Sequence, residues 1–203
     1  MKQLTFLLLV LLLPSCSVED DSAPLFIEPI YMNNPTFKLK LDIIYVLPNE
    51  KYAKSKYNID ESKYLDYLNG CFFNRHDIGI VLGESRTLVN PELYDLKDDR
   101  GNESAIFERE TKGTCKPDRL NMYIIPRTNT IAIAGLGVTQ RTFITDEFLF
   151  KTTSPHEIGH SLGLHHLDVD GNIMSRVKPY LRKEFNSEQV SELIQQIITI
   201  NNR

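Results

Sequence analysis

The chain has 203 residues, 41% hydrophobic and 25% charged, enough to bury one substantial core in a single globular domain. A formal net charge of -4, a pI near 5.8 and the lack of any Lys/Arg run leave no basic field for a phosphate backbone, which excludes nucleic acid as the expected partner. Three dispersed cysteines exclude a structural zinc site of the Cys-rich kind, which needs two close pairs.

The first residues, MKQLTFLLLVLLLPSC, read as an export signal over 1–15. Lys2 supplies the positive start, and Leu4 to Leu13 form an apolar run too short to span a bilayer. Leu13-Pro14-Ser15-Cys16 resembles a bacterial lipoprotein box, which implies cleavage before Cys16 and acylation of that cysteine, although Pro14 is unusual at its place. An ordinary secretory signal that contains a cysteine is the alternative. Acyl chains on Cys16 imply a membrane anchor, each buried methylene contributing about 0.8 kcal/mol. Glu19-Asp20-Asp21 is similar to tags that send lipoproteins to the outer face of the outer membrane, so the expected location is the outer membrane or cell surface. Residues 16–36, acidic and then punctuated by Pro24, Pro29 and Pro35, read as a flexible tether ahead of a domain over 37–203.

From Phe37 an apolar alternation through Leu39, Leu41, Ile43, Tyr45 and Leu47 predicts a strand that stops at Pro48. Asp60 or Ser62 is a helix cap for a segment carrying Tyr64, Leu65, Leu68 and Phe72, ending near Gly70. A second strand fits Ile78 to Leu82, and the polar stretch through Asp98, Asp99, Arg100, Gly101 and Asn102 reads as surface loop. Strands are expected at Leu120 to Ile125 and Ile131 to Ala134, with a short one at Arg141 to Thr145. A last helix runs from about Ser187 to Asn201, where Asn186 and Gln189 form a capping box. With Cys16 acylated, Cys71 and Cys115 remain as a possible disulfide in an oxidising compartment.

Four of the five histidines fall in His156-Glu157-Ile158-Gly159-His160-Ser161-Leu162-Gly163-Leu164-His165-His166. On a helix His156 and His160 project from one face toward one ion, and Glu157 lies beside them. Gly163 can adopt the left-handed conformation that ends the helix and lets His166 return as a third nitrogen ligand, leaving a fourth position open. A histidine-rich surface helix is the bland alternative. Five specified positions arise by chance in roughly one chain in 10⁵ of this length, which weighs against it. His165 neighbours His166 and is expected at the surface or behind the ligands.

The pattern HExxHxxGxxH resembles the signature of the metzincin clan of zinc peptidases, whose third histidine is followed by a turn containing methionine. Here Gly171 supplies the turn and Met174 falls eight residues after His166, a spacing similar to that of matrixins. The resemblance implies an α+β zincin fold. It is expected to comprise a twisted mixed sheet, an early helix, an active-site helix and a C-terminal helix, split into an upper subdomain (37–163) and a small lower one (164–203). It implies Zn²⁺ on His156, His160 and His166, Met174 as the floor of the site, and Glu157 as general base assisting a zinc-bound water against a peptide bond. It also implies substrate pairing along Ile131 to Val138, and a substrate-pocket wall from Ser175 to Lys183 with Pro179 and Tyr180 as its best candidates. Leu167 and Pro155 depart from the best-known branches, and no tyrosine stands two places after Met174, so no subfamily is implied.

Arg176, Lys178, Arg182 and Lys183 favour acidic substrates only where their side chains face inward. Asp168, Asp170 and Asn172 offer a possible structural Ca²⁺ loop, but the closing Glu of the twelve-residue pattern is missing and a simple turn is the alternative. The expected agent is a monomeric zinc endopeptidase acting on protein or peptide. A non-catalytic zinc-containing surface lipoprotein that binds other proteins is the rival from another class, and a zinc hydrolase of a cell-wall amide is a second.

Overall fold

The computed structural model describes residues 26–96, 102–126 and 135–203. The expected export signal, Cys16, the first part of the tether and the strand expected over 131–134 lie outside these residues. Within them are β1 (Phe37–Leu47), α1 (Glu61–Leu68), β2 (Ile78–Val89), α2 (Pro91–Tyr94), α3 (Glu103–Thr111) and β3 (Leu120–Ile125). There follow β4 (Gly135–Val138), β5 (Arg141–Thr145), α4 (Thr153–Ser161) and α5 (Ser187–Asn201). The strands form one mixed sheet in the order β2-β1-β3-β5-β4; four are parallel, and β4 runs antiparallel to β5 at the edge.

Both faces of this sheet are covered, which is why β1 and β3 carry nearly continuous apolar runs instead of a strict alternation. On one face Leu39, Leu41, Ile43, Tyr45 and Leu47 join a core with Tyr64 and Leu68 of α1, Ile158 of α4, and Leu193, Ile197 and Ile200 of α5. On the other, Ile44, Val46, Tyr123, Ile125 and Phe143 pack with Leu93, Leu96, Ile106 and Phe107. The three buried α5 residues contribute about 1.5–3 kcal/mol each as an upper estimate, which seats the last helix against the first strand. Ile173, Met174 and Phe185 belong to the same core as the sheet residues, so the two expected subdomains share one apolar interior.

The helix ends follow the sequence. The Asp60 carboxylate accepts from Lys63 N–H at 3.1 Å to start α1. At α5 the Asn186 side chain accepts from Gln189 N–H at 2.8 Å, while Gln189 accepts from Asn186 N–H at 3.0 Å.

Several expectations are corrected. β2 continues past Leu82 to Val89, because as an edge strand it keeps pairing with β1 through a bulge near Asp42 while its polar residues face solvent. Asp42 is wholly buried there and accepts from Glu84 N–H at 2.8 Å and Arg119 at 3.0 Å. Asp98 to Gly101, read as surface loop, lie outside the described residues; the short helices α2 and α3 flank them unforeseen, because they bury only Leu93 and the Ile106-Phe107 pair with Thr111, too few apolar positions to show a period. Residues 26–36, assigned to the tether, are strapped to the domain. Ile27 and Pro35 are buried, Ile30 N–H donates to Gly70 O at 2.8 Å, and Arg75 donates to Glu28 O at 3.0 Å. The disulfide considered between Cys71 and Cys115 is not formed. Both are free thiols; Cys71 packs against the main core, whereas Cys115 follows α3 on the opposite face of the sheet.

Candidate metal centre

Pro155 is accommodated because it lies in the first turn of α4, where its missing N–H has no intrahelical role. The Ser154 hydroxyl meets the Tyr64 hydroxyl at 3.0 Å and donates to Phe148 O at 3.4 Å. Beyond Ser161 the helix is closed by Gly163, at φ +97°, with Gly163 N–H donating to His160 O at 3.0 Å and Leu164 N–H to Gly159 O at 2.9 Å. That reversal brings His166 back over the helix.

The imidazoles of His156, His160 and His166 converge, and their ligand atoms lie within 4.8 Å of one another. No other such cluster of His, Cys, Asp or Glu occurs among the described residues, and His165 is exposed outside it. His156 Nδ1–H donates to Ile173 O at 2.7 Å and His160 Nδ1–H to Leu164 O at 2.9 Å. These acceptors are carbonyls, so they fix the tautomers and turn both Nε2 lone pairs into the site. His156 Nε2 is buried without a partner, and His160 Nε2 and His166 Nε2 stand 3.0 Å apart. A tetrahedral zinc with nitrogens at 2.0–2.1 Å separates its ligands by about 3.3 Å, so the cradle fits the ion and an orphaned buried nitrogen acquires a partner. Burial, then the neighbouring Arg182 and His160, pushes the His156 imidazole down to about 2. Burial also lowers His160, so both present neutral lone pairs.

Glu157 is 3% exposed. Burial raises its carboxyl to about 8, against the pull of the Arg182 charge and of a hydrogen bond from Gly137 N–H. Strand β4 passes so close to α4 at this point that a Cβ on Gly137 would lie 2.2 Å from Glu157 O. Gln140 N–H donates to Ser161 O at 2.8 Å and Thr142 to the Ser161 hydroxyl at 3.0 Å, which fastens the β4–β5 turn to the other end of the helix.

The Met174 sulfur packs against α4 at Gly159, where a Cβ would come within 2.5 Å of it. Its turn is braced from α5, since Asn172 and Gln189 exchange side-chain hydrogen bonds of 2.8 and 3.1 Å, and Asn172 accepts from Met174 N–H at 2.8 Å. Pro179 is buried and Tyr180 half-buried in a short turn whose Pro179 O accepts from the Thr152 hydroxyl at 3.2 Å, just ahead of α4. Asp168 pairs with Arg176 at 2.9 Å and Asp170 with Lys178 at 2.6 Å, while Asn172 is turned inward to Gln189. The three groups considered for Ca²⁺ thus serve three separate partners.

Sequence reasoning missed Gly137, whose N–H reaches Glu157, and the inward turn of Arg182, 4% exposed with Nε donating to Ser175 O at 2.9 Å. The eight-residue offset of Asp168 and Asp170 from Arg176 and Lys178 marks those two cations as paired; nothing comparable marks Arg182.

The fold resembles that of an archaemetzincin. The structure of archaemetzincin from Methanopyrus kandleri matches over 82% of this chain and 99% of its own, at 10% identity and a TM-score of 0.52. Metalloproteinase-II from Bacteroides fragilis aligns with 85% of this chain and 56% of its own, at 14% identity and a TM-score of 0.44. A chain of a chaperone–substrate complex aligns with 83% of this chain and 35% of its own, at 12% identity and a TM-score of 0.45. No family model and no curated protein matches the sequence.

Proposed function

We propose that this protein is a zinc-dependent endopeptidase. The observation that carries the reading is the convergence of three neutral imidazoles, one with an orphaned buried Nε2, beside the buried carboxyl of Glu157. The archaemetzincin-like fold supports it. His156, His160 and His166 would hold a zinc ion, which when bound would act as a Lewis acid on a peptide carbonyl and on water near neutral pH.

With a zinc cation bound beside it, Glu157 would be held ionised despite its burial; its carboxylate takes a proton from the attacking water and returns it to the departing amine, so no covalent acyl-enzyme is needed. Gly137 N–H orients the carboxylate, and the carbonyls of Ile173 and Leu164 hold the imidazoles in register. Strand β4, the edge of the sheet next to α4 among the described residues, offers backbone groups for an extended substrate. The sequence of residues 1–16 supports an acylated, exported form at a cell surface; among the described residues no helix is long and apolar enough to cross a membrane.

The test uses soluble protein starting near Val18, loaded with zinc and given a mixed peptide library, beside a Glu157→Ala variant and a chelator control. Cleavage that disappears in both controls is the expected result. Stoichiometric zinc with no cleavage of any peptide overturns the proposal and leaves the protein-binding lipoprotein as the better reading.

A further inference from the structure

Residues 26–36 carry an apolar surface that the metal centre does not use. Four of the twelve large apolar side chains exposed among the described residues fall within seven positions, at Phe26, Ile30, Tyr31 and Met32, and Phe26 at 83% and Tyr31 at 67% are the most exposed of the twelve. Singly scattered apolar residues need no partner, but a run this dense marks a contact surface. The run is also held in shape. Ile27 and Pro35 are buried, Ile30 N–H and Arg75 fasten the backbone at Gly70 O and Glu28 O, and Thr36 N–H donates to the Asp77 carboxylate at 2.8 Å. The Tyr31 ring and Pro29 lie against Gly70, where a Cβ would come within 2.8 Å of the ring. The strap is thus pinned at both ends with these side chains turned outward.

What covers them follows from their place in the chain. Phe26 lies ten residues after Cys16, and ten residues reach at most about 35 Å even when fully extended. Acylation of Cys16 therefore keeps the strap beside a bilayer. We propose that residues 26–32 are a second membrane contact: Phe26, Ile30, Tyr31 and Met32 enter the headgroup boundary of the bilayer that holds the acyl chains. This inference rests on the acylated form proposed above and is independent of the peptidase reading. Aromatic side chains with one apolar and one polar end favour that boundary, as Tyr31 does. Two cations bonded to the strap, Lys38 on Asn34 at 2.7 Å and Arg75 on Glu28 O, suit its phosphates. The anchor supplies a high local concentration, so a contact too weak to retain free protein is enough to fix how the anchored domain stands on the membrane.

The chain contains no tryptophan, so a single one introduced reports its own surroundings. Phe26→Trp, Tyr31→Trp and Val89→Trp are made in the full chain, processed and acylated, and reconstituted on vesicles of phosphatidylethanolamine and phosphatidylglycerol whose acyl chains are brominated near the headgroup. Val89 is exposed and stands ten residues along β2 from Gly79, on which Pro35 rests, and so about 30 Å away. Phe26→Trp and Tyr31→Trp are expected to shift their emission to the blue and to lose most of it to bromine, while Val89→Trp keeps its emission. The unsubstituted acylated protein gives a reading free of any effect on folding: chymotrypsin should cut after Phe26 more slowly on vesicles than in soluble protein starting near Val18. Equal quenching at all three positions, strong or absent, or cutting at equal rates, overturns the inference alone. A blue shift at positions 26 and 31 that needs no lipid and grows with protein concentration assigns the surface to a second copy of the chain and also overturns it. A processed chain that does not stay with the vesicles overturns the acylated form and the inference together.

Discussion

Replacing Gly137 by alanine separates the contact of strand and helix from the metal ligands themselves. The new methyl would stand 2.2 Å from Glu157 O, 2.7 Å from His160 Cβ and 3.0 Å from Ser161 N. Two of these three atoms are helix backbone and cannot rotate away. The strand must therefore rise by about 1 Å to reach ordinary contact, against the bonds that tie Gln140 and Thr142 to Ser161. Overpacking of this kind costs about 1–3 kcal/mol, and weakening the Gly137 hydrogen bond to the Glu157 carboxylate adds up to about 1.5–3 kcal/mol. Urea unfolding should register a loss of roughly 2–4 kcal/mol. A displacement near 1 Å at the base should also lower kcat/KM by about 10²-fold. Zinc affinity, measured by competition with a chromophoric chelator, should change far less, because none of the imidazole anchors involves β4. Wild-type stability together with kcat/KM within about threefold of wild type would refute the close approach described here.

His166→Ala should leave the fold intact, since His166 is exposed, but weaken zinc by more than the roughly 10–100-fold typical of losing a group that only orients a ligand; calorimetric titration checks this. Zinc at 100 times its Kd should raise stability by about 2.7 kcal/mol relative to chelated protein, and a melting temperature indifferent to zinc would contradict the preformed cradle. Gly163→Ala forces a side chain onto φ +97° and should cost on the order of 1–2 kcal/mol in denaturant unfolding. Gln189→Ala removes the buried partner of Asn172 and should cost about 1–3 kcal/mol, with a loss of activity that Gln189→Glu does not fully restore because Asn172 needs a donor as well as an acceptor.

The local signals of the site are legible in the sequence because they are short-range. The i, i+4 spacing of His156 and His160, the helix-ending Gly163 and the Asn186/Gln189 box all act within a few residues, and each appears in the structure where expected. β1, β3, β5, α1 and α5 were equally legible from periodicity and caps. What the sequence hides is set by distant partners. The length of β2 depends on β1, the burial of Ile106 and Phe107 on Tyr123 and Phe143, and the binding of residues 26–36 on Gly70 and Asp77. The same is true of Gly137 and Arg182, whose neighbours in space include a helix and a turn that their local pattern does not announce.

The position of β1 bears on how the chain folds as it is synthesised. Among the described residues it is the first strand in the sequence, yet it sits inside the sheet, with Phe37 opposite Ile78 on one side and Leu41 opposite Leu120 on the other. Until those residues arrive, Leu39 to Leu47 is an unpaired ribbon with almost every side chain apolar or aromatic, interrupted only by Lys40 and Asp42. Such a segment is prone to aggregate on the time scale of synthesis. Pairing over so long a loop is also intrinsically slow. Lys38 and Lys40, both exposed in the folded sheet, are the two cations of this strand, so replacing either by an apolar residue should lower the yield of folded protein more than it lowers stability.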